Sequence, residues 1–203
     1  MPVKNQPFTP IKVKYSKKIL GSKCYLSPVR IEDAEKYFEW LNDLEVSVNL
    51  RTYSQQIPFE IEKEYLEKFA KNQTNDYLFG IISKDSDSLI GNCALMNPDF
   101  INRNAEMGIF VGDKNYWGKG IGTEAIMLML DFGFNVLNLH NIWLSFYDFN
   151  TKSKSIYEKC GFKIIGRRRE AKIIGNLKFD IVYMDILAEE YKSVYIRNLL
   201  NID

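Results

Sequence analysis

The chain has 203 residues, of which 46% are hydrophobic and 14% aromatic, and a formal net charge of +1. That length is enough to bury one sizeable core, and the composition excludes a disordered chain. The near-neutral balance gives no global push toward nucleic acid or a membrane surface, and no run approaches the ~20 apolar residues of a membrane span.

The chain opens on a basic leader, residues 1–21. Lys4, Lys12, Lys14, Lys17, Lys18, Lys23 and Arg30 all precede the first acid, Glu32. The leader has no apolar segment of secretory type and reads as a solvated extension. Cys24, Cys93 and Cys160 are an odd, widely spaced set without CxxC spacing, which fits a reducing, cytoplasmic setting.

Cys24 to Arg30 reads as a first strand, with Pro28 suggesting an edge. From Ile31 the pattern turns helical: Glu32 and Asp33 sit where helix N-termini favour acids, and Ala34, Tyr37, Phe38 and Leu41 share a face. Glu45 to Ile57 is polar and irregular. A second helix is expected to start after Pro58 and to run to about Lys71. Tyr77–Ser83 and Leu89–Met96 read as a hairpin around Asp85–Ser88, and Asn97-Pro98 as its end. Ala105–Val111 is the next strand and Gly120–Leu137 a long buried helix. His140–Tyr147 (strand), Asn150–Cys160 (helix), Phe162–Arg168 and Phe179–Leu187 (strands) follow. The core is thus expected over 22–187, as a single α+β domain with a mixed sheet. The tail, 188–203, carries Tyr191, Val194, Tyr195 and Leu199 at helical spacing; it reads as a helix or as a surface for a partner subunit, leaving a homodimer open.

The chemistry concentrates in Ala105–Thr123, AEMGIFVGDKNYWGKGIGT. A strand runs into a turn, then into Gly118, Gly120 and Gly122, and a helix begins. Free backbone N–H groups at a helix N-terminus form a site for a phosphate-bearing ligand. The spacing is neither that of a nucleotide P-loop nor the GxGxxG of a dinucleotide site. Two motifs together, YWGKGIGTEA and NTKSKSIYEKCGF, resemble the GNAT superfamily of acetyl-CoA-dependent N-acetyltransferases. The similarity is closer to the branch of Rim-type ribosomal-protein and spermidine acetyltransferases.

The resemblance implies a GNAT-type, mostly antiparallel central sheet flanked by helices, with acetyl-CoA as co-substrate and an amine as acceptor. Ile109, Phe110 and Val111 would offer backbone hydrogen bonds to the pantetheine arm. Trp117, Gly118, Lys119, Gly120, Ile121, Gly122 and Thr123 would wrap the pyrophosphate. The family more often has Gln or Arg where Trp117 stands. Asn150 and Ser153 would hold the pantetheine end, and Tyr157 would stand near the thioester sulfur.

Chemistry asks for such groups independently. The departing thiolate benefits from a donor, and Tyr157 is the candidate acid. Glu106, at the start of the strand, is the candidate base or amine-binding group; at the alternative base position Ser145 is a poor base. For the acceptor, Trp40, Asp43 and Tyr77, with Asn42, Glu45 and Tyr53 near them, would suit a cationic amine through charge and cation–π contacts. No metal-ligand spacing is present. His140 reads as structural, Cys160 as packing, and Arg167–Arg169 as solvated surface. The expected acceptor is a protein N-terminus or a small amine such as a polyamine or amino sugar; a protein that binds acyl-CoA without turnover is the remaining alternative.

Overall fold

The computed structural model describes residues 14–193 together with 195 and 196. In chain order the elements are β1 (Ile19–Leu20), β2 (Cys24–Pro28), α1 (Ala34–Asn42), α2 (Leu44–Ser47), α3 (Phe59–Ala70), β3 (Tyr77–Ser83), β4 (Ser88–Asp99), β5 (Asn104–Val111), α4 (Ile121–Asn135), β6 (Asn141–Tyr147), α5 (Thr151–Lys159), β7 (Lys163–Ile174) and β8 (Leu177–Leu187). The strands form one eight-stranded sheet in the order β1-β2-β3-β4-β5-β6-β8-β7. Every neighbouring pair is antiparallel except β5 with β6.

Alternation along the strands sends apolar side chains to both faces of the sheet. One face takes Leu26, Ile81, Leu95, Met107, Leu144 and Met184 against α4 and α5. The other takes Tyr25, Ile82, Leu89 and Ala94 against Ala34 and Tyr37 of α1 and Leu66 of α3. Helix α4 is buried over most of its circumference, as its all-round apolar sequence requires. Among the described residues, no helix is long and apolar enough to cross a membrane, and no cluster of His, Cys, Asp and Glu is arranged to hold a metal ion.

The main departures from the sequence pattern have local causes. Strand β4 does not stop at Asn97-Pro98 but passes through them to Asp99, because a bulge with Asn97 at φ 48° absorbs the irregularity. Strands β7 and β8 extend to a hairpin turn at Gly175-Asn176, with Gly175 at φ 57°. Most of β7 is exposed, so the alternation that marks a half-buried strand is missing there. The short helix α2 begins where Asp43 accepts from the backbone of Glu45, and it runs into the segment read as irregular.

The tail bears on α4. Asp131, fully buried on α4, accepts from Ser193 Oγ at 2.6 Å and from the backbone N–H groups of Tyr195 and Ile196 at 2.8 and 2.9 Å. Tyr191 donates to the carbonyl of Met127. The described part of the tail therefore folds back on its own chain; Val194 and residues 197–203 lie outside the described residues. Asp131→Ala strands these donors, and a loss of about 3 kcal/mol is expected in urea unfolding.

Candidate active site

The gap in the sheet sets the geometry. Strands β5 and β6 pair in parallel over only three positions, Asn104 with Asn141, Ala105 with Ile142 and Glu106 with Trp143. Beyond them β5 stays with β4 as far as Val111, and β6 stays with β8 as far as Tyr147. The facing edges of Met107–Val111 and Leu144–Tyr147 are thus without a strand partner. A row of main-chain donors and acceptors along such an edge suits an extended, amide-bearing ligand.

The glycine loop lies past the end of β5. Gly118 and Gly120 have φ of 74° and 79°, the left-handed region where side chains are disfavoured. A Cβ on Gly118 would meet nothing within 4 Å, so that position faces open space. Residues Gly118 to Gly120 are exposed, and α4 starts immediately afterwards with no side-chain cap on its first N–H groups. The side chain of Trp117 turns back: its indole N–H donates to the carbonyl of Val111 at 2.7 Å, pinning the loop to the strand. Two cations flank the loop. Lys23 Nζ donates to the carbonyl of Lys119 at 2.9 Å and stands 3.0 Å from where a Gly120 Cβ would be. Loop glycines, an uncapped helix N-terminus, Lys23 and Lys119 together offer free N–H donors and positive charge, the chemistry that suits a diphosphate.

Glu124, one turn into α4, holds this end of the helix to the β1–β2 turn. It accepts from the backbone N–H groups of Ser22, Lys23 and Cys24 and from the Ser22 hydroxyl. Burial pushes its pKa up, but these hydrogen bonds outweigh burial and hold it at about 2. The glutamate therefore fixes Lys23 beside the glycine loop, a link the sequence pattern did not disclose.

On α5, Asn150 is the N-cap and accepts from Ser153 N–H at 3.1 Å. Ser153 and Tyr157 follow at i+3 and i+7, one face of the helix. The Tyr157 ring packs on Phe146 and Phe162, with centroids 5.6 and 6.0 Å away. Burial raises its hydroxyl to about 12, against the hydrogen bond with Ser153 that lowers it.

Glu106 is buried, and its carboxylate is held by Arg51, whose guanidinium also donates to Ser145 Oγ at 2.8 Å. The parity of Glu106 with Phe110 puts it on the α1–α3 face. Trp40 is on that face too, edge-on to Phe110 and packed so closely on Gly112 that a Cβ there would overlap the indole. Asp43 caps α2 and pairs with Lys114 at 2.7 Å, which holds its carboxyl below the usual range; Lys114 also pairs with Glu45. Tyr77 is elsewhere. Its ring lies against Phe132 of α4 on the opposite face, at 5.5 Å, so the structure does not bring it to Trp40 and Asp43.

A family model described as the Acetyltransferase (GNAT) domain matches residues 23–163. The spermidine N(1)-acetyltransferase of Vibrio cholerae serotype O1 is 30% identical over 153 residues, 75% of this chain and 88% of that one. A Bacillus subtilis protein named as a ribosomal N-acetyltransferase, YdaF, is 27% identical over 168 residues, 83% of this chain and 87% of that one. The solved structure of spermidine N-acetyltransferase from Vibrio cholerae in complex with CoA and spermine superposes with a TM-score of 0.75 at 26% identity, covering 84% of this chain and 99% of that one. With its sheet gap, glycine loop and family match in agreement, the chain belongs to the GNAT acetyltransferases and uses acetyl-CoA.

Proposed function

We propose that the chain transfers acetyl from acetyl-CoA directly to a primary α-amine, that of a protein or peptide N-terminus or a small molecule of similar basicity. The observation that carries this is the pairing of Glu106 with Arg51. A carboxylate already held by a guanidinium is not a free base, so the neutral acceptor has to come from the amine's own acid–base equilibrium. At pH 7 an amine of pKa near 8 is short of its neutral form by about 1 kcal/mol, whereas a lysine-like amine is short by roughly 4–5 kcal/mol.

In this reading Met107–Val111 and the backbone of Gly118–Thr123 hold pantetheine and pyrophosphate, with Asn150 and Ser153 at the thioester end. Glu106, through Arg51, shapes the acceptor side beside Trp40. The amine nitrogen attacks the thioester carbonyl, the carbon–sulfur bond breaks, and the amine's proton leaves through solvent. Tyr157 donates a hydrogen bond to the departing sulfur. Full proton transfer is uphill, because a phenol at about 12 is a much weaker acid than a thiol near 8.5. Lys23→Ala is expected to raise KM for acetyl-CoA about threefold to fivefold without changing kcat, an effect that shrinks with added salt.

A polyamine acceptor is the second reading, favoured by the likeness to spermidine acetyltransferases. The acids Glu106, Asp43 and Glu45 weigh against it, since each is paired with a cation of the chain. Thiol release from acetyl-CoA decides between them. Faster turnover with short peptides bearing a free N-terminus than with spermidine supports the α-amine reading; turnover with spermidine alone overturns it.

A further inference from the structure

A second group of residues continues the acceptor face beyond Glu106 and Ser145. Tyr147 is the last residue of β6, at the open end of the gap, two positions after Ser145 and on the same face. Tyr53 comes from the segment between α2 and α3, two residues after Arg51. Between the two rings stands the ammonium of Lys172, on β7. Its Nζ is 3.0 Å from the Tyr53 centroid and 4.5 Å from that of Tyr147. Tyr53 also reaches the neighbouring backbone, with its hydroxyl 3.4 Å from the carbonyl of Ile173.

Two features set this lysine apart. It is buried, at 8% exposure, on a strand that is otherwise mostly exposed. None of the ion pairs among the described residues includes it. Two aromatic faces around an ammonium without a carboxylate form a slot that recognises cations by the ring quadrupole. Burial also holds the Lys172 ammonium below the ordinary lysine pKa.

We propose that the slot between Tyr53 and Tyr147 is a binding subsite for the ammonium of a primary-amine acceptor, and that Lys172 occupies it as an internal surrogate until the acceptor displaces it. This rests on the acetyl-transfer reading for its biological meaning. Arg51 covers Glu106 and Lys172 fills the slot, so two of the chain's own cations stand along the acceptor face. A tethered occupant competes at a high effective concentration, which weakens amines that bind poorly and admits those with further contacts.

The test uses the full chain and n-propylammonium as probe, followed by NMR. In the wild type, the Lys172 Hε protons should be shifted upfield by the two rings, and saturating n-propylammonium should return them toward ordinary lysine values. Lys172→Met keeps the aliphatic stem and should bind the probe about tenfold more tightly, with shifts at Tyr53 and Tyr147. Lys172→Arg should restore the wild-type affinity, and Tyr53→Leu combined with Lys172→Met should abolish the gain. Unchanged Lys172 protons in the wild type at probe saturation would overturn the proposal, as would equal affinities of the wild type and Lys172→Met. The wild-type measurement does not depend on any variant folding. Because the readout is binding without turnover, a failure here is separable from a failure to acetylate peptide amines, which thiol release reports.

Discussion

Tyr157→Phe is expected to lower kcat by about 10- to 100-fold with KM for acetyl-CoA nearly unchanged. The size follows from the kind of help the hydroxyl gives. At about 12 it stays protonated through the neutral range and is too weak an acid to hand its proton fully to a thiolate. Its contribution is a hydrogen bond to a sulfur that becomes charged only as the carbon–sulfur bond breaks, worth about 1.5–3 kcal/mol. The variant should fold, because the ring's packing on Phe146 and Phe162 is kept. Steady-state kinetics with a peptide amine, beside a thermal melt, checks both halves. A wild-type kcat would remove Tyr157 from the reaction.

Glu124→Gln is expected to cost about 2–3 kcal/mol in urea unfolding, because the amide would turn a donor toward N–H groups that need an acceptor. The same residue sets part of the acid stability. Its folded pKa of about 2 lies below the 4.5 of an ordinary glutamate, so its contribution is complete above pH 4.5 and is lost as pH falls from there toward 2. That difference corresponds to about 3 kcal/mol of acid-sensitive stability. Unfolding free energies measured between pH 7 and pH 3 should fall less steeply for the variant than for the wild type. Parallel curves would show that Glu124 does not carry the linkage.

How much of this could be read from the chain depended on how local each feature was. The glycine loop and the Asn150–Tyr157 segment are contiguous motifs, and their residue types state their geometry: positive φ at Gly118 and Gly120, a cap at Asn150. The long helix and its flanking strands were legible for the same reason, since burial periodicity is written within ten or fifteen residues. What escaped depends on contacts between distant positions. Arg51 meets Glu106 across 55 residues, and Tyr53 meets Ile173 across 120. Nothing in the polar segment 45–57 distinguishes Arg51 from a solvated arginine until the sheet brings Glu106 beneath it. Asp43 looked like an acid offered to a substrate, but Lys114, at the turn before the glycine loop, neutralises it. Tyr77 has the right chemistry for a cation, and its parity on β3 turns it to the other face. Even the gap is not a local property. The sequences of β5 and β6 both read as ordinary strands, and only their registers show that they part after Glu106 and Trp143.

Acetyl-CoA is expected to lie along the open edge of β5 and on the glycine loop. Amide hydrogen exchange of the full chain, with and without acetyl-CoA, tests it most directly. Slowed exchange confined to residues 107–111, 118–123 and 150–153 is the predicted result. Unchanged exchange there, with protection instead around the cleft lined by Phe69, Thr74 and Tyr77, would contradict it.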